Sequence, residues 1–215
     1  MKRQEVRERI EQVGIIPSIR TVKAEDALFA AESVSRGGIS LVEIALTVPD
    51  AYQLITSFAR RAPEVIVGAG GVIDMEAARL AIRAGAQFLT SDGLDPQTVA
   101  FALRESVVII PGTLTPTDVM AAWKLGPDFV KVVPCGNVGG ESYIRSLKAM
   151  FPRVPLIAAG GVNQSNATSF IHAGAVALGI GAELIPKEAI RLRQPDRIAE
   201  LARRFIGFVN DARGR

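Results

Sequence analysis

Four features of the sequence carry chemistry. The first is Lys131, inside the run Phe129-Val130-Lys131-Val132-Val133-Pro134-Cys135. The chain has six lysines, and the other five (Lys2, Lys23, Lys124, Lys148 and Lys187) stand in helical or turn contexts. An ammonium held among apolar residues loses hydration, which lowers its pKa from the reference ~10.4 toward neutrality. The neutral amine attacks ketones and forms Schiff bases. The plainer reading is a strand-end lysine that snorkels to water or pairs with a carboxylate. The second feature is Glu43, equally isolated in Leu41-Val42-Glu43-Ile44-Ala45-Leu46. Strand alternation puts Leu41, Glu43 and Ala45 on one face. A carboxylate beside the lysine can shuttle protons for imine chemistry; alternatively the two form a buried ion pair that only satisfies both charges.

The third feature is Arg20, closing the run Ile15-Ile16-Pro17-Ser18-Ile19-Arg20. A guanidinium at a strand's C-terminal end can fork onto a carboxylate, or can simply sit on a surface loop. The fourth is a pair of glycine turns, Ala159-Gly160-Gly161-Val162-Asn163 and Gly179-Ile180-Gly181-Ala182-Glu183. Each follows an apolar run and precedes a helical stretch, where exposed backbone N–H groups can hold a phosphate. Turn geometry alone also explains glycine there.

The elements that must position these residues recur regularly. Apolar runs lie at Ile15–Arg20, Leu41–Leu46, Val65–Gly70, Phe88–Ser91, Val107–Pro111, Phe129–Pro134, Leu156–Gly160 and Ala175–Gly179. Between them come helical stretches: Asp26 to Val34 before Gly37-Gly38, Asp74 to Gly85, and Asn163 to Ala173 before Gly174. Asp95-Pro96 and Thr115-Pro116 each read as an N-cap followed by proline at the first helical position. Near-continuous apolar strands are those of a parallel sheet covered on both faces. Eight such units predict a single (β/α)8 barrel over residues 1–215, with an open doubly wound sheet as the alternative. Residues 2–13 form an extra helix expected to cover the open bottom of the barrel. In a barrel, all four features collect at the C-terminal strand ends, where active sites lie.

Composition excludes other classes. The chain has 215 residues, 48% of them hydrophobic, so it is not disordered. One cysteine, Cys135, excludes a disulfide scaffold. No apolar run approaches the ~18 residues of a membrane helix, and the charged start lacks a signal peptide's apolar stretch, so a cytoplasmic protein without membrane partners is expected. The net charge is only +3. The C-terminal arginines, from Arg191 to Arg215, alternate with Glu188, Asp196, Glu200 and Asp211, which reads as a solvated helix face rather than a nucleic-acid stripe. The single histidine, His172, lies mid-helix as a surface or packing residue. One His and one Cys make no zinc site. Cys135 has no evident base partner. Gly68-Ala69-Gly70-Gly71 lacks the full spacing of a dinucleotide loop.

These residues, in this order, resemble the small class I aldolases acting on 2-keto-3-deoxy-6-phosphogluconate and 4-hydroxy-2-oxoglutarate. The likeness runs from Gly14-Ile15-Ile16-Pro17 to Gly181-Ala182-Glu183-Leu184. It is carried by Val42-Glu43-Ile44-Ala45-Leu46-Thr47-Val48-Pro49-Asp50-Ala51, Val67-Gly68-Ala69-Gly70, Pro111-Gly112-Thr113-Leu114-Thr115-Pro116-Thr117, the Lys131 run and Gly160-Gly161-Val162-Asn163. The resemblance implies a (β/α)8 barrel, a homotrimer, no metal and no cofactor. It implies that Lys131 forms the Schiff base and that Glu43 transfers protons. Arg20 matches an arginine that holds the keto-acid carboxylate in members carrying threonine where Thr47 stands. Gly160, Gly161 and Gly181 match the phosphate turns, with Ala182 beside them, and Gly70, Gly71 and Pro111 lie in motifs lining the site. Members usually have threonine at the position of Gly71, proline at Asp92, threonine at Ala159 and serine at Ala182. The hydroxyls absent from the phosphate turns weaken phosphate binding by about 1 kcal/mol each.

The expected activity is cleavage of such a keto acid to pyruvate and an aldehyde, D-glyceraldehyde 3-phosphate or glyoxylate. Two other readings stay open: a non-catalytic barrel binding a small acidic metabolite, and a phosphosugar isomerase or epimerase with Glu43 as base. The residues do not choose the aldehyde, the stereochemistry at C4, or whether phosphate is required.

Overall fold

The computed structural model describes residues 1–214; of the C-terminal arginines, Arg215 lies outside the described residues. Nine strand segments form one sheet in which every pairing is parallel. They are β1 (Ile15–Ile19), β2 (Leu41–Ala45), β3 (Ile66–Gly70), β4 (Phe88–Thr90), β5 (Val108–Ile110), β6 (Gly112–Thr113), β7 (Val130–Val132), β8 (Leu156–Ala159) and β9 (Ala177–Ile180). Neighbours follow chain order from β1 to β5 and from β6 to β9, and β9 pairs back onto β1. No strand order reverses, so there is no switch point and no open doubly wound sheet.

The ninth segment arises from one residue. Pro111 has no N–H to give the ladder, so it splits a single strand into β5 and β6. The first piece pairs with β4 and the second with β7, and the chain through Pro111 closes the ring. The architecture is therefore the (β/α)8 barrel expected from the sequence.

Around the ring run α2 (Ala24–Arg36), α3 (Ala51–Arg61), α4 (Met75–Ala84), α5 (Pro96–Arg104), α6 (Pro116–Lys124), α7 (Gly140–Met150), α8 (Ala167–His172), α9 (Lys187–Arg191) and α10 (Pro195–Ala212). Their starts follow local chemistry. Asp74 accepts from the Ala77 N–H, Asp95 from that of Thr98, and Thr115 from that of Asp118, each satisfying a donor of the first turn. One helix starts later than its pattern suggests. Asn163 to Asn166 fold as a turn, because the Asn166 amide accepts from Asn163 N–H and donates to the Gly161 carbonyl, so α8 begins only at Ala167.

The extra helix, α1 (Arg3–Val13), buries Val6 and Ile10 and ends at Gly14 in the left-handed conformation that launches β1. It touches β5 and β9, and Arg3 Nε donates to both carboxylate oxygens of Asp128, just before β7, at 3.1 and 3.0 Å. It thus crosses the N-terminal ends of the strands, as expected.

Two glycines of β3 make room inside the ring. A Cβ at Gly68 would lie 2.3 Å from the Phe88 ring, and one at Gly70 would lie 2.2 Å from Glu43 Oε1. These glycines lie in the strand itself, which explains a run that looked superficially like a dinucleotide loop.

Candidate active site

Lys131 is the middle residue of β7. Its N–H donates to the Pro111 carbonyl at 2.9 Å, and its own carbonyl accepts from Thr113 Oγ1 at 3.0 Å, so its backbone is fixed on the strand that closes the barrel. The side chain is only 8% exposed. It projects into a cleft of about 460 Å³ at the C-terminal strand ends, lined also by Ser18, Arg20, Glu43, Asp92, Gly160 and Gly181, with Ala182 and Lys187 at its edge. An amine this dry, facing a cavity large enough for a small metabolite, is what condensation with a ketone requires.

Glu43 lies opposite on β2, 4% exposed, in register with Ser18 of β1. Ser18 Oγ donates to its Oε1 and Thr90 Oγ1 to its Oε2, each at 2.8 Å. The two hydroxyl donors hold the carboxylate in one orientation toward the cleft. The buried Glu43–Lys131 ion pair considered from the sequence does not form. Among the described residues, the carboxylate paired with Lys131 is Asp92, whose Oδ1 accepts from Nζ at 2.7 Å.

Asp92 follows β4 and joins two cations, since its Oδ2 accepts from Arg20 Nη2 at 3.0 Å. Burial pushes the Asp92 carboxyl upward, but the Lys131 ammonium and the Arg20 guanidinium outweigh it and hold the group below the usual carboxylate range. Its backbone is clamped: Gly112 N–H donates to the Gly93 carbonyl, and a Cβ at Gly112 would strike the Asp92 carbonyl carbon at 2.4 Å.

The other residues singled out from the sequence divide into two groups. Arg20, Gly160, Gly181 and Ala182 share the cleft with Lys131 and Glu43. Gly70 abuts Glu43, and Pro111 holds the Lys131 backbone, so both support the site from behind. Gly71, at φ +71°, faces an adjoining cavity of about 200 Å³ that Asp92 also borders. Gly161 does not line the cleft; it packs against the Gly136 backbone at φ +90°. Thr47 is exposed in the turn after β2 and lies outside the cleft lining.

Ser18, Thr90, Asp92 and Lys187 were not among the expected site residues. Asp92 had a signal, as a charge where relatives usually have proline. Ser18 stands two residues before Arg20 on an alternating strand, which was also readable.

Cys135 is buried, with its thiol pushed up to about 11 by burial, so it is a poor nucleophile. His172 is exposed at the end of α8. Among the described residues, no group of three His, Cys, Asp or Glu side chains is placed to hold a metal. Arg191, Arg193 and Arg204 pair with Glu188, Asp26 and Glu200, the solvated face expected of the basic C-terminal region.

A parallel barrel with a dry lysine in its C-terminal cleft fits the class of Schiff-base lyases. Residues 6–201 match the model of the KDPG and KHG aldolase family, and the chain belongs to that family. It is 30% identical over 203 residues to the 2-dehydro-3-deoxy-phosphogluconate aldolase of Treponema pallidum, covering 94% of this chain and 96% of the relative. Its structure superposes with a TM-score of 0.85 on the KDPG aldolase of Legionella pneumophila, in which pyruvate was captured as a covalent carbinolamine; the two are 27% identical, and the match covers 92% of this chain and 96% of the other. The Zymomonas mobilis 2-keto-3-deoxy-6-phosphogluconate aldolase, solved with 3-phosphoglycerate, gives a TM-score of 0.86 at 25% identity over 95% of this chain and 96% of the other. The chain is thus a class I aldolase, a lyase working through a lysine Schiff base, rather than the binding barrel or isomerase also compatible with the residues alone.

Proposed function

We propose that the chain cleaves a 2-keto-3-deoxy-6-phosphosugar acid or 4-hydroxy-2-oxoglutarate into pyruvate and an aldehyde, D-glyceraldehyde 3-phosphate or glyoxylate, with Lys131 as the imine-forming residue. The observation that carries this reading is the buried lysine on β7, Lys131, whose side chain is 8% exposed and lines the cleft at the strand ends.

The neutral amine attacks C2 of the keto acid, and loss of water leaves an iminium. The iminium withdraws electrons from C3–C4. Glu43 takes the proton of the C4 hydroxyl, directly or through water, the C3–C4 bond breaks, and the aldehyde departs, leaving an enamine. Glu43 serves proton transfer at the enamine carbon, directly or through water, and hydrolysis frees pyruvate and the lysine. Arg20 receives the keto-acid carboxylate.

The Gly160 and Gly181 turns line the same cleft. The hydroxyls absent at Ala159 and Ala182 weaken a phosphate site there, but Lys187 lines the same cleft and has no ion-pair partner among the described residues, which supports an anionic aldehyde half. The resemblance also supports a cytoplasmic homotrimer, for which light scattering should return three times the 22.9 kDa chain mass.

The test is reduction by borohydride in the presence of pyruvate. A mass increment on the peptide holding Lys131 is expected. A label on another lysine, or none, would overturn the assignment. Cleavage assays on phosphorylated and unphosphorylated keto acids, run side by side, choose the aldehyde.

A further inference from the structure

The two carboxylates of the cleft are held by different partners and buried to different depths. Glu43 is buried, takes hydroxyl donors on both oxygens and is not ion-paired with Lys131. Asp92 is half exposed and holds the reacting nitrogen itself at 2.7 Å. Environments that separate two carboxylates in this way separate their roles.

We propose that Asp92 is a second catalytic carboxylate, which takes the proton from Lys131 as the imine forms, leaving Glu43 to move the proton at the substrate carbon. The proposal rests on the reading of Lys131 given above and divides between two residues the proton transfers of that reaction.

The step balances as follows. The Lys131 ammonium gives one proton to Asp92 Oδ1, so an N–H bond breaks and an O–H bond forms. The nitrogen lone pair then attacks C2, and the carbonyl oxygen receives a second proton from that nitrogen, giving the carbinolamine. Asp92 returns its proton to the carbinolamine hydroxyl, which leaves as water. The carboxylate is regenerated beside the positive iminium, with which it pairs.

The second contact of Asp92 explains the timing. In the structure Arg20 competes with any proton for the carboxylate, because its guanidinium binds Oδ2. A keto acid bound to Arg20 weakens that contact and brings another negative charge nearby. Both changes raise the proton affinity of Asp92 when Lys131 must lose its proton. The clamped backbone leaves side-chain rotation as the freedom needed to exchange Arg20 for substrate. The charged groups facing the cleft with Asp92 are Lys131 on β7, Arg20 after β1, Glu43 on β2 and Lys187 on α9.

The experiment separates the two proton transfers. Imine formation is followed by the rate of borohydride trapping with pyruvate across pH. Transfer at carbon is followed by deuterium exchange into the pyruvate methyl group, normalised to the amount of imine. In Asp92→Asn, trapping near pH 7 should fall roughly a hundredfold and recover as pH rises, because solvent base must then remove the lysine proton, while exchange per imine stays near wild type. Asp92→Glu, which keeps a carboxylate, should restore part of the trapping rate. Glu43→Gln should give the reverse pattern, with trapping retained and exchange lost.

Wild-type trapping at Lys131 with an unchanged rate and pH profile in Asp92→Asn would overturn the proposal and leave the reading of the lysine intact. Equal loss of trapping and exchange in a folded Asp92→Asn protein would overturn the division of roles. Absence of any adduct on wild-type Lys131 would overturn the reading itself.

Discussion

At the scale of single residues, Asp92 makes the clearest difference between this chain and the pattern it resembles. The resembled pattern has proline at this position, which carries no charge. Here a carboxylate joins Lys131 to Arg20 across the cleft mouth. The sign of its effect on stability follows from its lowered pKa. The folded protein holds Asp92 ionised to lower pH than the unfolded chain does, so its contribution is complete above the ordinary carboxylate value of about 3.9 and disappears as pH falls through the folded value. Asp92→Asn should therefore have a lower urea midpoint than wild type near neutrality, with the gap closing in acid below about pH 4. The gap should be small, because the side chain is half exposed and solvent screens it. A gap that widened in acid would show that the ion pairs do not stabilise the fold. The sequence shows this charge but not its partner, because the contact joins the loop after β4 to β7 through space, 39 residues apart.

Among the elements, β3 shows how a strand without functional side chains shapes a site. Its inward glycines leave space that neighbours fill: the Phe88 ring against Gly68 and the Glu43 carboxylate against Gly70. Adding a methyl group at each position should separate stability from catalysis. Gly68→Ala meets an aromatic ring in a packed core and should destabilise by about 1–3 kcal/mol, read as a lower denaturation midpoint. Gly70→Ala should instead push the Glu43 carboxylate off its Ser18 and Thr90 donors. Borohydride trapping on Lys131 should survive while methyl exchange falls roughly a hundredfold. Full exchange in Gly70→Ala would mean that Glu43 works from a position other than the one observed. The strands themselves were legible because both faces are buried and their apolar runs are nearly unbroken. The split at Pro111 was hidden, since a proline at the end of an apolar run reads as a stop rather than an interruption. The late start of α8 was hidden for a related reason: Asn163 and Asn166 carry helix-cap chemistry but spend it on a turn.

For the whole molecule, the barrel separates its two ends by task, and this can be tested. The C-terminal strand ends hold Lys131, Glu43, Arg20 and Asp92, whereas the N-terminal ends are crossed by α1, whose Ile10 is fully buried. The order of elements and the location of the cleft could be read from the sequence because strand direction is the same throughout, so every residue just past an apolar run lies on one rim. The covering role of α1 was legible in the sequence, but the contact that docks it was not, since Arg3 meets Asp128 across 125 positions. Ile10→Ala removes buried methylene groups at the end remote from the cleft. It should cost about 3 kcal/mol, a fall of roughly 6–12 °C in Tm for a chain of this size. Well below that Tm, kcat should remain within about twofold of wild type, since the change leaves no cavity near the reacting groups and distant sites act independently. A large loss of kcat in folded Ile10→Ala protein would show that the bottom of the barrel controls the geometry at the top, and that the two ends form one mechanical unit.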